Sequence, residues 1–139
     1  MNILLDTCVI SELIKPVPDP AVLAWTAGTP EATCYFSTIT LGEVMNGICR
    51  LPAGKRRAQL ETWFEGLLAR YEARIVPVDA TVAHEWGRLS GELARRGTST
   101  SMADGLIAAT ALVHGLKLAT RNVADFKPFE AQIVNPWKV

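Results

Sequence analysis

The sequence predicts an α/β fold, a three-layer sandwich with helices on both faces of a mostly parallel sheet of about five strands, formed as one domain over residues 1–139. Three observations carry that expectation. Short apolar runs alternate with helical patterns along the chain, from NILL at 2–5 to QIV at 132–134. The 139 residues are 49% hydrophobic and 20% charged, a composition that closes a single core with no linker or repeat dividing it. Residues 101–115, SMADGLIAATALVHG, are apolar on nearly every side, the pattern of a helix buried on most faces.

The first strand, Asn2 to Leu5, runs into Asp6, and a helix with Val9, Ile10, Leu13 and Ile14 on one side follows over 7–14, stopping before Pro16. Asp6 reads either as the cap of that helix or as an acid at the carboxyl end of a strand, where open parallel sheets place their ligands. Asp19 caps a short helix with Pro20 at its first position, closed by Gly28. TCYFST at 33–38 forms the second strand. In the helix after it, Thr40 and Glu43 have capping-box spacing, which puts Glu43 in the first turn. RLPAGKRR at 50–57 is a turn carrying Arg50, Lys55, Arg56 and Arg57: solvated surface, or the phosphate-contacting rim of a nuclease. Leu60, Trp63, Phe64, Leu67 and Leu68 give the next helix an apolar face for the core or a dimer. RIVPV at 74–78 is the third strand, and Asp79 caps a helix with Val82, Trp86, Leu89 and Leu93 inward. Ser101 and Asp104 form a second capping-box pair at the start of the apolar helix. KLAT at 117–120 and residues 132–134 supply the last two strands.

A net charge of zero excludes a protein that binds nucleic acid by bulk electrostatics, so any such contact is local or passes through a metal. Three cysteines without metal-site spacing point to reduced thiols in a cytoplasmic protein. No signal peptide or membrane-length apolar run is expected. With His84 and His114 as its two histidines, the chain gives little support to a His-based zinc site or a Ser-His triad.

Right-handed connections place all strand carboxyl ends on one edge, so Asp6, Glu43, Asp104 and the Asn122/Asp125 pair are expected there together. Converging carboxylates repel one another unless a cation neutralises them, and oxygen donors select a hard ion, Mg²⁺ or Mn²⁺. Such an ion suits phosphodiester hydrolysis.

The segments LLDTCVISELIK, STITLGEVMNGI, SMADGLIAATALVHGLKLATRNVADF and VNPW, in this order, resemble PIN-domain ribonucleases of the VapC/FitB toxin type from the first strand to the last residues. The resemblance implies an Mg²⁺- or Mn²⁺-dependent endoribonuclease that cuts RNA, leaves a 5′-phosphate and is neutralised by a cognate VapB/FitA-type antitoxin. It also implies a homodimer, larger complexes with the antitoxin, and contact with operator DNA through the antitoxin. Asp6, Glu43 and Asp104 match the family's acidic metal positions. Asn122 or Asp125 matches the fourth, and Thr7 and Thr120 match small hydroxyl positions near the site. Cys8 departs from the pattern, which commonly has Asn there, and a thiol is the poorer hydrogen-bonding group. Two other functions compete. An aspartate-nucleophile phosphotransferase would need an Asp where Cys8 stands. A non-catalytic PIN module would act mainly as partner of a DNA-binding antitoxin in autorepression.

Overall fold

Strand β1 (Ile3–Leu5) lies at the centre of a five-stranded sheet of order β3-β2-β1-β4-β5, with β2 at Cys34–Ser37, β3 at Ile75–Val76, β4 at Lys117–Ala119 and β5 at Ile133–Val134. Every pairing is parallel, and Leu5 stands opposite Ala119. This computed structural model describes residues 1–138; Val139, the last residue of the expected 1–139 domain, lies outside them. The helices are α1 (Thr7–Leu13), α2 (Pro20–Ala27), α3 (Thr38–Cys49), α4 (Lys55–Tyr71), α5 (Ala80–Arg95), α6 (Met102–His114) and α7 (Val123–Phe126).

Side-chain alternation along the strands divides the core into two layers. Leu5, Phe36 and Ala119 face α1, α3 and α4, where they meet Val9, Val44, Ile48, Leu60 and Phe64. Leu4, Val76 and Leu118 face the opposite way and meet Leu93, Ile107, Ala108, Ala111 and Phe126. The chain steps outward from β1 to β2 to β3, then crosses to β4 on the other side of β1. That reversal makes the carboxyl ends of β1 and β4 the switch point where such sheets open a crevice.

Most expected caps form. Asp19 accepts the Ala21 N–H at 2.8 Å, Asp79 the Val82 N–H at 2.9 Å, and Ser101 the Asp104 N–H at 3.1 Å. Gly115, at φ 63°, closes α6 in the left-handed conformation. The strand RIVPV is shorter than expected. Arg74 belongs to a 3-10 turn over Glu72–Arg74, and Pro77, which has no N–H to donate, follows the pair Ile75–Val76.

Helix α6 packs closely against α5 through Gly105. A Cβ on that glycine would lie 2.7 Å from both Cδ1 and Nε1 of Trp86 and 3.3 Å from the Ser90 hydroxyl. Gly105→Ala gains about 1 kcal/mol of helix propensity, but overpacking against the half-buried Trp86 ring costs about 1–3 kcal/mol. The variant is expected to melt a few degrees below the parent. Melting at or above the parent temperature would show that the indole moves aside freely.

Candidate active site

Asp6 is the first residue beyond β1. Its N–H donates to the Ala119 carbonyl at 3.0 Å, which keeps it in register with β4 and beside Thr120. The side chain is only 4% exposed and is fixed at both oxygens. Oδ1 accepts the Thr7 N–H at 2.8 Å, while Oδ2 accepts the Thr120 hydroxyl at 2.8 Å and the Cys8 thiol at 3.6 Å. The capping and cleft readings of Asp6 therefore hold together. Burial raises its pKa above the usual carboxylate value, the bonds from Thr120, Thr7 and Cys8 oppose that rise, and the charge of Asp104 adds to it. Cys8 stays within 3.6 Å of Thr120 Oγ1 as well, so the thiol keeps a weak version of the contact an amide would make.

Glu43 reaches the same edge by a different local route from the one its spacing suggested. Helix α3 begins at Thr38, and Ser37 is its cap, accepting the Ile39 N–H at 3.0 Å. Glu43 thus lies beyond the first turn, and Thr40 is not a cap. The buried Ser37 at the end of β2 takes that role three residues earlier, freeing the Thr40 hydroxyl to face Thr7 at 3.3 Å. Thr7 in turn donates its hydroxyl to Glu43 Oε1 at 2.5 Å. Thr40 is a bracing residue the sequence reading missed, because its capping-box spacing disguised it.

Asp104 sits in the first turn of α6, half-buried. Burial raises its pKa, the Ser101 hydroxyl lowers it, and the charges of Asp125 and Glu43 raise it further. Asp6, Glu43, Asp104 and Asp125 therefore share one electrostatic field. Asn122 contributes differently: its main-chain N–H donates to Thr120 Oγ1 at 2.9 Å, and its exposed side chain makes no capping bond. Of the pair, Asp125 is the one whose charge reaches Asp104.

Among the described residues none of these carboxylates has a basic side chain within ion-pair distance. No three such groups already converge tightly enough to grip an ion, again among the described residues. Glu43 is turned toward Thr7. The donor set still fits a hard divalent cation. It is all oxygen, it includes a nearly fully buried carboxylate with no counter-charge, and hydroxyls orient two of its members.

The basic turn lies farther out. A groove lined by Ser11, Ile14, Glu43, Val44, Gly47, Ile48, Leu51 and Leu60 leads from Glu43 toward it. Arg56 donates to the Ile14 carbonyl at 2.9 Å and Arg57 pairs with Glu61 at 2.8 Å, while Arg50 and Lys55 are exposed. His84 and His114 are both exposed and away from the carboxylates' hydrogen bonds.

A parallel sheet whose switch-point edge carries acids within electrostatic reach of one another, none of them in an ion pair among the described residues, defines an α/β protein with a carboxylate-rich sheet edge. The PIN domain pattern matches residues 3–127, and the chain belongs to that family. It is 41% identical to the VapC ribonuclease Y4jK of Sinorhizobium fredii over 137 residues, 98% of each chain. It is 37% identical to toxin FitB of Neisseria gonorrhoeae, across 97% of this chain and 98% of that one. The solved FitAcB structure from Neisseria gonorrhoeae superposes with a TM-score of 0.93 at 36% identity, covering 99% of both chains. A DNA-bound VapBC from Salmonella typhimurium superposes at 0.80 with 26% identity, covering 98% of both. These structural neighbours are toxin–antitoxin complexes, some of them bound to DNA.

Proposed function

We propose that the chain is an Mg²⁺- or Mn²⁺-dependent endoribonuclease, the toxin of a toxin–antitoxin pair. One observation carries the reading: Asp6, Glu43, Asp104 and Asp125 lie within electrostatic reach of one another with no ion-pair partner among the described residues, and Asp6 is buried there. The names of the relatives, ribonuclease and toxin, support it. Asp6, Glu43 and Asp104 would hold the ion, with Asp125 completing the set. Asn122 contributes through its backbone. The bound ion would supply charge neutralisation and Lewis acidity at the scissile phosphate. The protein's own part is to hold the oxygens in place. Thr120 and the Thr7 amide fix Asp6, the Thr7 hydroxyl steers Glu43, and the buried body of α6 anchors Asp104. Asp125, exposed on a short helix, is suited to orient the attacking water and take up its proton, leaving a 5′-phosphate on the product. Arg50, Lys55, Arg56 and Arg57 would form an outer rim for the RNA backbone.

The neighbours support a VapB/FitA-type antitoxin and operator DNA reached through it as partners; the family resemblance adds a second copy of this chain. No described helix is long and apolar enough to cross a membrane, and the proposed place of action is the cytoplasm. The purified chain, freed of antitoxin, is expected to cleave total RNA when Mg²⁺ or Mn²⁺ is supplied, to stop in a chelator, and to leave 5′-phosphate ends. The DNA-bound neighbours favour a second reading, a PIN module serving mainly as an antitoxin's partner on DNA. Absence of metal-dependent cleavage, with operator binding by the complex intact, would establish that reading instead.

A further inference from the structure

We infer that Arg121, braced on the ring of Trp137, anchors the RNA backbone beside the cleft and is a substrate-binding residue of this chain. The inference rests on the ribonuclease reading above. A sheet edge rich in carboxylates repels a polyanion, and the chain as a whole has zero net charge, so cations placed beside that edge must hold the substrate.

Arg121 is so placed. It directly follows Thr120, whose hydroxyl holds Asp6 Oδ2 at 2.8 Å and lies 3.6 Å from Cys8 Sγ, so its main chain borders the reacting edge. Its guanidinium carbon stands 4.8 Å from the centre of the Trp137 ring. That stacking limits the freedom of a long side chain while leaving the N–H edge of the guanidinium available.

Four other arginines are engaged by acids, Arg57 by Glu61, Arg70 and Arg74 by Glu31, and Arg88 by Glu85 and Glu92. Of those in no ion pair among the described residues, Arg121 is the one that directly follows Thr120 and lies over an aromatic ring. Arg121 is in no ion pair among the described residues, and it is exposed. Glu12 on α1 is the carboxylate that feels the charge of Arg121, and its oxygens are bonded elsewhere, to the Lys15 ammonium at 2.9 Å and the Asp19 N–H at 3.0 Å. A planar cation held on an aromatic face, in no ion pair among the described residues, fits one phosphate of a single strand. Trp137 comes from the segment after β5 and Arg121 from the one after β4, so their pairing is a product of the fold.

The test uses the full chain and a fluorescein-labelled single-stranded oligoribonucleotide. In an Asp104→Asn background, used to prevent cleavage, Arg121→Gln should weaken binding about tenfold. It should also make the salt dependence shallower by about 0.7 in log–log slope, one phosphate contact. In the otherwise unaltered chain, Arg121→Gln should raise KM for RNA with kcat largely kept, and Arg121→Lys should recover most of the salt slope. Trp137→Leu should raise KM by less. The melting temperature of Arg121→Gln, and its rise on adding Mn²⁺, should equal those of the parent. If the parent cleaves RNA while Arg121→Gln matches its affinity and salt slope, the anchor is wrong and the ribonuclease reading stands. A loss of thermal stability or of the Mn²⁺ response would make Arg121 structural and overturn the anchor too. A parent that neither binds nor cleaves RNA would remove both.

Discussion

Asp6→Asn should abolish RNA cleavage, by on the order of 10²-fold or more, yet melt at or above the parent in a chelating buffer at neutral pH. The carboxylate is 4% exposed and faces no base, so ionising it inside the fold is costly. Its folded pKa lies above the ordinary 3.8, chiefly through burial. An acid shifted upward binds its proton more tightly when folded. Its favourable contribution is complete below the unfolded value and is lost as pH rises through the raised folded value. Asparagine imitates the neutral form and does not titrate. The variant's advantage should therefore be largest near neutrality and shrink on acidification. Glu12 and Glu85 shift the other way, lowered by Lys15 and Arg88, but they are common to both proteins and cancel in the difference. Mn²⁺ should narrow or reverse the order, because the parent binds the ion more tightly and gains more free energy from it. Thermal melts across the acid-to-neutral range, with chelator and with Mn²⁺, check every part of this. A variant less stable than the parent in chelator at neutral pH would mean that Asp6 is chiefly a helix cap.

Asp104→Asn separates capping from catalysis at a second position. Activity should fall by about 10²- to 10³-fold, with kcat carrying the loss and the fold retained. The principal cap of α6 survives the change, since the Ser101 oxygen accepts the backbone N–H of residue 104 at 3.1 Å. Removing the charge also relieves repulsion from Asp125 and Glu43, so the metal-free chain should not lose stability. Single-turnover cleavage and a thermal melt measure the two effects. Activity within a few fold of the parent would leave Asp104 as a cap only.

Much of this site is legible locally. Asp6, Asp104 and Asp125 follow strands or open helices, and the caps at Asp19, Asp79 and Ser101 depend on neighbours within three residues. Strand existence was equally readable, because apolar runs bounded by turns leave few alternatives. What the chain does not display locally is contact between distant segments. The order β3-β2-β1-β4-β5, the Thr40–Thr7–Glu43 chain, the Gly105–Trp86 packing and the Arg121–Trp137 stack each join residues from separate elements. Glu43 shows how a local rule misleads. Its spacing from Thr40 suits a capping box, but the strand before it ends in a serine that caps first. Pro77 likewise shortens β3, an effect visible only once the partner strand is known. The Asn122/Asp125 ambiguity stays open in the sequence because both residues lie in the short segment that follows β4.

The central claim is that the carboxylates at this sheet edge together hold a divalent cation. Mn²⁺ titration of the metal-freed chain at neutral pH, followed by the loss of the free-ion electron paramagnetic resonance signal, tests it most directly. The parent should take up Mn²⁺, with affinity rising from acid to neutral pH as Asp6 and Asp104 release their protons. Asp6→Asn and Asp104→Asn should each weaken binding by at least about tenfold. A parent that binds no Mn²⁺, or variants that bind it as the parent does, would contradict the account.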